Sequence, residues 1–514
     1  PWDGFARLPP EAQSAVRPGV WEQAQSSAGV VVYFQQIGSS CNEVSINASL
    51  TSAALDMPHM PATGVSGFDL YAFDEKVAKS YRWAAGWVMS WGEQVGAVGS
   101  FGGLDASLSR FALYLPLYNG VSELYLGAAP GCALVPESVL PRKGRVLVYG
   151  TSVTQGGVVS RPGAAWTNVL SRSLGREVYN FGFSGNGEME LNVTQFLLRV
   201  DNVSAIVIDC NQNMHGVAEC GGAACTGAAA ITYRVPRLVR YIRNHGHPTT
   251  PIVMAAGTPY GLDWVGGRTQ HRDYSEALAD AVLQMRNDGD CNVTMVAGDD
   301  FFAGNPYALD TDTPTVGGCH PSDLGHYSMA KRWHNILEPV VIRGRPLPEP
   351  PQLSLRSPKH GDFAELISST TQSSTVWTHG YHLGLSGVAQ FPVDLPRKSP
   401  YDRFPAALEP TVEAEVWQMS RWSSGEFLLF ESNSRRLSLN MTLQMPYKHM
   451  ESLMPETGHS GCDLYTWDDV THTWLWVANT LPLLFAAGSK DGNTVLVGEL
   501  FSDGRDQNGS FWRP

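Results

Sequence analysis

The chain has 514 residues, 43% hydrophobic and 17% charged, which excludes a disordered polypeptide and a single small core; two to four domains are expected. A formal net charge of −13 excludes a nucleic-acid polyanion as partner. No apolar run approaches the ~18 residues of a membrane span, and none of the eight cysteines sits in a CxxC pair, so neither a span nor a zinc site is expected.

Residues 1–142 carry short apolar-aromatic runs, "GVVVYFQ", "FALYLPLY" and "SELYLGA", parted by turn residues. That pattern predicts an antiparallel β-sandwich. Residues 143–345 read differently. Strand-like runs "RVLVYG" (145–150), "EVYNFG" (177–182), "AIVIDC" (205–210), "PIVMAAG" (251–257) and "VTMVAGD" (293–299) are interleaved with amphipathic stretches such as "DYSEALADAVLQMRNDG" and "SDLGHYSMAKRWHNILEPV". Unbroken apolar strands between such helices predict a parallel sheet of about five strands, covered on both faces. The Pro-rich "RGRPLPEPPQLSL" (343–355) closes this domain, and residues 346–399 read as linker and the start of a second unit.

Residues 400–514 repeat the first domain. "MPATGVSGFDLY" (60–71) and "MPETGHSGCDLY" (454–465) agree at nine of twelve positions, and "PWDGF" at 1 answers "PYDRF" at 400. Asp69 and Asp463 in each "DLY" are expected to be hydrogen-bond or turn anchors. The second copy stops before the counterpart of "YLPLYNGVSELYLGAA". Two strands are then missing, so the reading expects a longer polypeptide with further repeat units, or another chain adding the strands.

The even cysteine count joins six N-x-S/T sequons, at Asn47, Asn192, Asn202, Asn292, Asn440 and Asn508. Together they predict a secreted, glycosylated protein with disulfides. Cys220 and Cys225, flanking "GGAA", are the pair most readily bridged.

Four features fall at the carboxyl ends of the predicted parallel strands, where such sheets bind ligands. They are Ser152 in "GTSVTQGG", Gly185 in "FSGNGE", Asn213 in "CNQNM" and His320 in "CHPSDLG". This is an inventory for acyl transfer. A serine needs a base to become a nucleophile, and a histidine is the natural base. An oxyanion needs donors fixed in advance, and the N–H groups of Ser152 and Gly185 and the Asn213 amide are the candidates. Asp323 is expected to cap the last helix, and His215 to be a loop residue.

These four blocks resemble those of the SGNH (GDSL-like) hydrolases, in the subgroup whose first block reads GTS. "GFDLY" and "GCDLY" resemble the hallmark of the β-domain that precedes this subgroup's hydrolase domain. The resemblance implies a three-layer α/β/α hydrolase flanked by two β-sandwich, jelly-roll-like domains. It implies Ser152 and His320 as the catalytic pair, with Ser152, Gly185 and Asn213 at the oxyanion, and neither cofactor nor metal. Members are esterases, lipases and carbohydrate deacetylases.

One position departs from the family. Three residues before the histidine, where an Asp is usual, stands Gly317. Loss of that acid costs about 10⁴ in rate in Ser-His-Asp enzymes. A backbone carbonyl orienting His320, a substitute acid such as Asp310 or Asp312, and a degenerate site all remain open. Two readings of the whole follow. One is a secreted serine esterase or deacetylase acting on an O-acyl ester, with a carbohydrate among the candidate substrates. The other is a non-catalytic structural or adhesive repeat protein on the same scaffold.

Overall fold

Alternating burial along "VSINASL" and its neighbours builds eight strands before residue 140. They are β1 (Val31–Gly38), β2 (Val44–Leu50), β3 (Phe68–Asp74), β4 (Ser80–Trp87), β5 (Ala97–Phe101), β6 (Arg110–Tyr114), β7 (Val121–Ala128) and β8 (Cys132–Pro136). Two antiparallel sheets result, in the orders β4-β3-β6-β1-β8 and β5-β2-β7. Phe34, Ile46, Phe68, Phe101 and Phe111, drawn from both sheets, share one core. A disulfide joins Cys41 to Cys132 across 91 residues. The computed structural model describes residues 4–90, 92–137, 144–215, 218–221, 223–259, 270–302, 314–316, 318–351, 384–386, 402–430, 436–442, 454–468, 473–479 and 495–502.

The parallel sheet follows. β9 (Arg145–Gly150), β10 (Val178–Gly182) and β11 (Val203–Asp209) come first. A hairpin of β12 (Ala218–Cys220) and β13 (Ala223–Cys225) is bridged by the expected Cys220–Cys225 disulfide. β14 (Ile252–Ala255) and β15 (Val293–Val296) complete the sheet, in the order β10-β9-β11-β14-β15, parallel throughout. Side chains alternate between its faces. Leu147, Tyr149, Ile206 and Ile208 pack under helices Gly227–Asn244 and Gln270–Asn287. Val146, Val148, Ala205 and Val207 pack under helices Trp166–Leu174 and Asp323–Val341. On that second face Trp166 stacks on Trp333 with 5.6 Å between ring centroids. Burying each ring is worth about 2–3 kcal/mol.

Helix Gly227–Asn244 runs through Pro236. Its buried stripe of Ile231, Val235, Leu238 and Ile242 outweighs the ~3 kcal/mol cost of an internal proline. Against the sequence-based expectation, residues 8–24 do not join the β-core, although Phe5 packs against it. Leu8, Ala12, Val16, Val20 and Ala24 pack into the first face of the parallel sheet instead. The last helix is capped by Ser322, whose side chain accepts from Gly325 N–H. Asp323 is its first residue, and its carboxylate accepts from Ser160 N–H and Oγ–H instead. Before that helix, β16 (Thr315–Val316) pairs with β17 (His320–Pro321).

The chain divides into two compact units, residues 1–356 with 436–514, and residues 357–435. The smaller unit contains β18 (Gly384–Ser386) paired with β19 (Phe427–Leu429). In the larger, β20 (Arg436–Thr442) pairs with β23 (Val495–Ser502), and β21 (Asp463–Asp468) with β22 (Thr473–Asn479). The repeat is legible in the register. The β3–β4 ladder shifts between Leu70 and Tyr71, and the β21–β22 ladder shifts between Leu464 and Tyr465. Both bulges interrupt the same "DLY". No helix among the described residues is long and apolar enough to cross a membrane.

Candidate active site

The site begins where β9 ends. Thr151 is extended and its side chain accepts from Val153 N–H, which starts the short helix Ser152–Gln155 and puts Ser152 on its first residue. The Ser152 carbonyl accepts from Gly156 and Gly157 N–H at 3.0 and 2.8 Å, so the turn is closed from behind. β17 brings His320 to the same place. Ser152 Oγ lies 2.8 Å from His320 Nε2. The two residues are 168 positions apart, and the hydrogen bond has the length a nucleophile–base pair needs.

The loop after β10 locks onto this turn. Phe183 N–H donates to Gly150 O at 2.9 Å. A side chain on Gly187 would meet Gly150 O at 1.9 Å, so only glycine fits there. Gly185 is different. Its φ of +64° is left-handed backbone, and nothing lies within 4 Å of where its Cβ would be, so it faces open space. Neither Ser152 N–H nor Gly185 N–H has an acceptor among the described residues.

Asn213 comes from the 3₁₀ turn Asn211–His215 after β11. With its Oδ1 turned to the N–H groups of Asn186 and Gly187, both contacts are 3.1 Å, a sense assigned from the hydrogen-bond network. The amide Nδ2 is then the donor end. Asn213 therefore braces the glycine loop that bears Gly185. On the same turn, His215 Nδ1 meets Gln212 O at 2.9 Å, as fits a loop residue.

Ser152 and His320 are both half-buried. Burial, then the neighbouring His59 and His326, pushes His320 down to about 3. No hydrogen bond reaches its Nδ1 among the described residues. Gly317, Asp310 and Asp312 lie outside the described residues. Asp209, at the end of β11, is buried with Thr154 Oγ1–H donating to it at 2.7 Å, and desolvation raises its carboxyl to about 7. Among the described residues no group of three or more His, Cys, Asp or Glu could hold a metal ion.

Sequence reasoning missed several groups here. His326, fully buried, meets Trp166 N–H with Nδ1 at 3.2 Å and Gly157 O with Nε2 at 3.1 Å, and so pins the turn after Ser152. Arg7 is buried with no carboxylate partner among the described residues; it donates to Gly182 O and Ser26 O and lies over the Phe183 ring. Tyr118 Oη reaches Ser152 O at 3.4 Å. His59 sits with its ring centroid 6.1 Å from that of His320. Arg7, His59 and Tyr118 all precede the hydrolase segment, and no spacing rule links them to Ser152. The one available signal was a difference between repeats: His59 stands where the second copy has Leu453.

The "GFDLY" strand explains how those residues arrive. Asp69 on β3 is buried and accepts from Arg161 at 3.0 Å, Gly163 N–H at 2.8 Å and Trp83 Nε1–H at 3.3 Å. Arg161 also donates to Tyr71 Oη at 2.6 Å, and Arg172 lies over the Tyr71 ring at 4.2 Å. Burial raises the Asp69 carboxyl against the opposing pull of Arg161. The motif is thus a clamp between the first β-domain and the loop that follows the serine turn.

A three-layer α/β/α domain with a Ser–His pair at its strand ends, clamped to a β-domain by a GxDLY strand, defines a class of protein. Residues 143–338 match the profile of the GDSL-like lipase/acylhydrolase family. Residues 2–134 and 379–502 match the GxDLY profile, described as the N-terminus of SGNH-hydrolase-type esterases. The chain belongs to the GDSL-like lipase/acylhydrolase family, in the group that carries the GxDLY domain. Among solved structures it is similar to a protein of Bacteroides ovatus ATCC 8483 described as a GDSL-like lipase, at 25% identity and a TM-score of 0.54, covering 66% of this chain and 92% of that one. It is similar in fold to the salicylyl-acyltransferase SsfX3 of a tetracycline biosynthetic pathway, at 19% identity and a TM-score of 0.51, covering 67% and 92%. No curated protein matches the chain.

Proposed function

We propose that the protein is a secreted serine esterase that hydrolyses O-acyl esters, with Ser152 as nucleophile and His320 as general base. The observation that carries this is the 2.8 Å contact between Ser152 Oγ and His320 Nε2 at the carboxyl end of β9. In the first step Nε2 takes the hydroxyl proton while Oγ bonds to the ester carbonyl carbon. The resulting oxyanion meets the N–H groups of Ser152 and Gly185, which have no acceptor among the described residues, and the Asn213 amide. The protonated His320 then gives its proton to the departing alkoxide, and water repeats the cycle on the acyl-enzyme.

Family membership supports acyl-ester chemistry, and the assembled pair favours a working enzyme over a structural repeat protein. With Gly317 at the usual acid position, Asp310 and Asp312 are the nearest acids before His320 in sequence that could serve it, and Asp310→Asn and Asp312→Asn read their part in turnover. Secretion rests on the two disulfides and the sequons, of which Asn192 and Asn202 are exposed. The test is hydrolysis of p-nitrophenyl acetate by the wild type and by Ser152→Ala. A fall of about 10³-fold or more in kcat/KM is expected. Equal rates from the two proteins would remove the esterase reading and leave the structural one.

A further inference from the structure

His59 stands on the tip of a tight turn. Met57 and Met60 close that turn with two backbone hydrogen bonds, of 3.0 and 2.9 Å. Met60 is fully buried and packs with Leu117, Val158, Val159 and Ala165, so the turn is anchored to the segment that follows Ser152. Its other side is held as well. Pro58 O accepts from Thr457 N–H at 3.0 Å, a contact supplied by the "MPETGHSG" segment of the second copy. The imidazole is thereby presented on a rigid support. It is half-buried, 6.1 Å from His320 between centroids, and neither of its ring nitrogens has a hydrogen-bond partner among the described residues.

We propose that His59 is a specificity-determining residue that hydrogen-bonds a hydroxyl adjacent to the scissile ester, which selects mono-acylated vicinal diols such as those of a sugar ring. A neutral imidazole offers one N–H donor and one lone pair, the complement of an alcohol that both donates and accepts. The other two histidines beside it are committed. His320 Nε2 serves Ser152, and both nitrogens of His326 are bonded to backbone. His59 thus has both ring nitrogens to offer a substrate held at Ser152, while His320 Nε2 and both nitrogens of His326 are taken. A site built around such a bond rejects an analogue that lacks the hydroxyl, because the imidazole is then desolvated without a partner. The second β copy acts in this scheme by fixing the turn that carries His59.

This inference rests on the esterase reading, and its test separates the two. The substrates are trans-2-acetoxycyclohexanol and cyclohexyl acetate, the same ring with and without a neighbouring hydroxyl. Wild-type protein is expected to prefer the first by about tenfold in kcat/KM, chiefly through KM. His59→Phe should reduce that preference at least fivefold, and His59→Gln, which keeps a donor and an acceptor, should restore part of it. In parallel, Ser152→Ala and Ser152→Ala/His59→Phe are titrated calorimetrically with a mono-O-acetyl methyl glycoside. The double variant should bind at least fivefold more weakly. Ser152-dependent hydrolysis with an unchanged preference in His59→Phe, or with equal losses on both esters, overturns the role of His59 alone. Hydrolysis that does not depend on Ser152 overturns the esterase reading and this inference with it.

Discussion

At the scale of single residues, His320 carries the sharpest consequence. A histidine acts as a base only while neutral. Burial and two nearby imidazoles hold it down to about 3, far below the ordinary 6.5. The sign is direct: a lowered value keeps the ring unprotonated through mildly acidic solution. The acid limb of kcat/KM on a non-ionising ester should therefore fall near pH 3–4, with most of the activity kept at pH 5. A limb near 6.5 in the pH–rate profile would contradict the burial argument. Ser152, Gly185 and Asn213 follow β9, β10 and β11 of one parallel sheet, and β17 returns His320 to Ser152 across 168 positions. What stays illegible in any motif is the protonation state, because it depends on what surrounds the ring and not on what precedes it.

At the scale of elements, the "DLY" strand changes meaning between sequence and structure. As sequence it is a repeat, and Asp69 reads as an anchor of unspecified partner. In the fold, β3 turns Asp69 toward Arg161 and Gly163 across a domain boundary. Asp69→Asn keeps the shape and removes the charge, leaving Arg161 without its anion. The expected loss is about 2 kcal/mol in urea unfolding, less than for a fully enclosed pair because Arg161 is about one-third exposed. A change below about 0.5 kcal/mol would mean that the clamp is held by Tyr71 and backbone alone. The five strands and four covering helices were legible because apolar runs and 3.6-residue stripes are local signals. The place of residues 8–24 was not, since which sheet a segment covers is set only when the two domains pack together.

At the scale of the molecule, the first β-domain is part of the site and not only attached to it. Arg7, His59 and Tyr118 all come from its side of the chain, and each touches the serine turn, the glycine loop or the base. The surface also bears on where the protein works. Asn192 and Asn202 are exposed, Asn47 and Asn292 are half-buried on or beside strands, Asn440 lies on β20, and Asn508 falls outside the described residues. Glycans need an accessible amide, so occupancy is expected at Asn192 and Asn202 in protein from its native host. Peptide mass spectrometry after enzymatic deglycosylation in ¹⁸O water reads each site. No occupancy at either position would count against passage through the secretory pathway.

Periodicity, glycine placement and the order of four short blocks were enough, from sequence alone, for the class of fold, the alternation of strand and helix, and the residues gathered at the strand ends. They also marked the internal repeat, whose matching bulges at Leu70/Tyr71 and Leu464/Tyr465 follow from a shared local sequence. Other properties belonged to the tertiary structure. The lowered pKa of His320, the satisfied state of His326, the clamp made by Asp69 and the approach of His59 all depend on segments far apart in the chain. Local patterns encode backbone conformation and which side is apolar. Burial, charge partners and the distance between two rings are set only when separate elements pack, and those quantities decide what the serine and histidine can do.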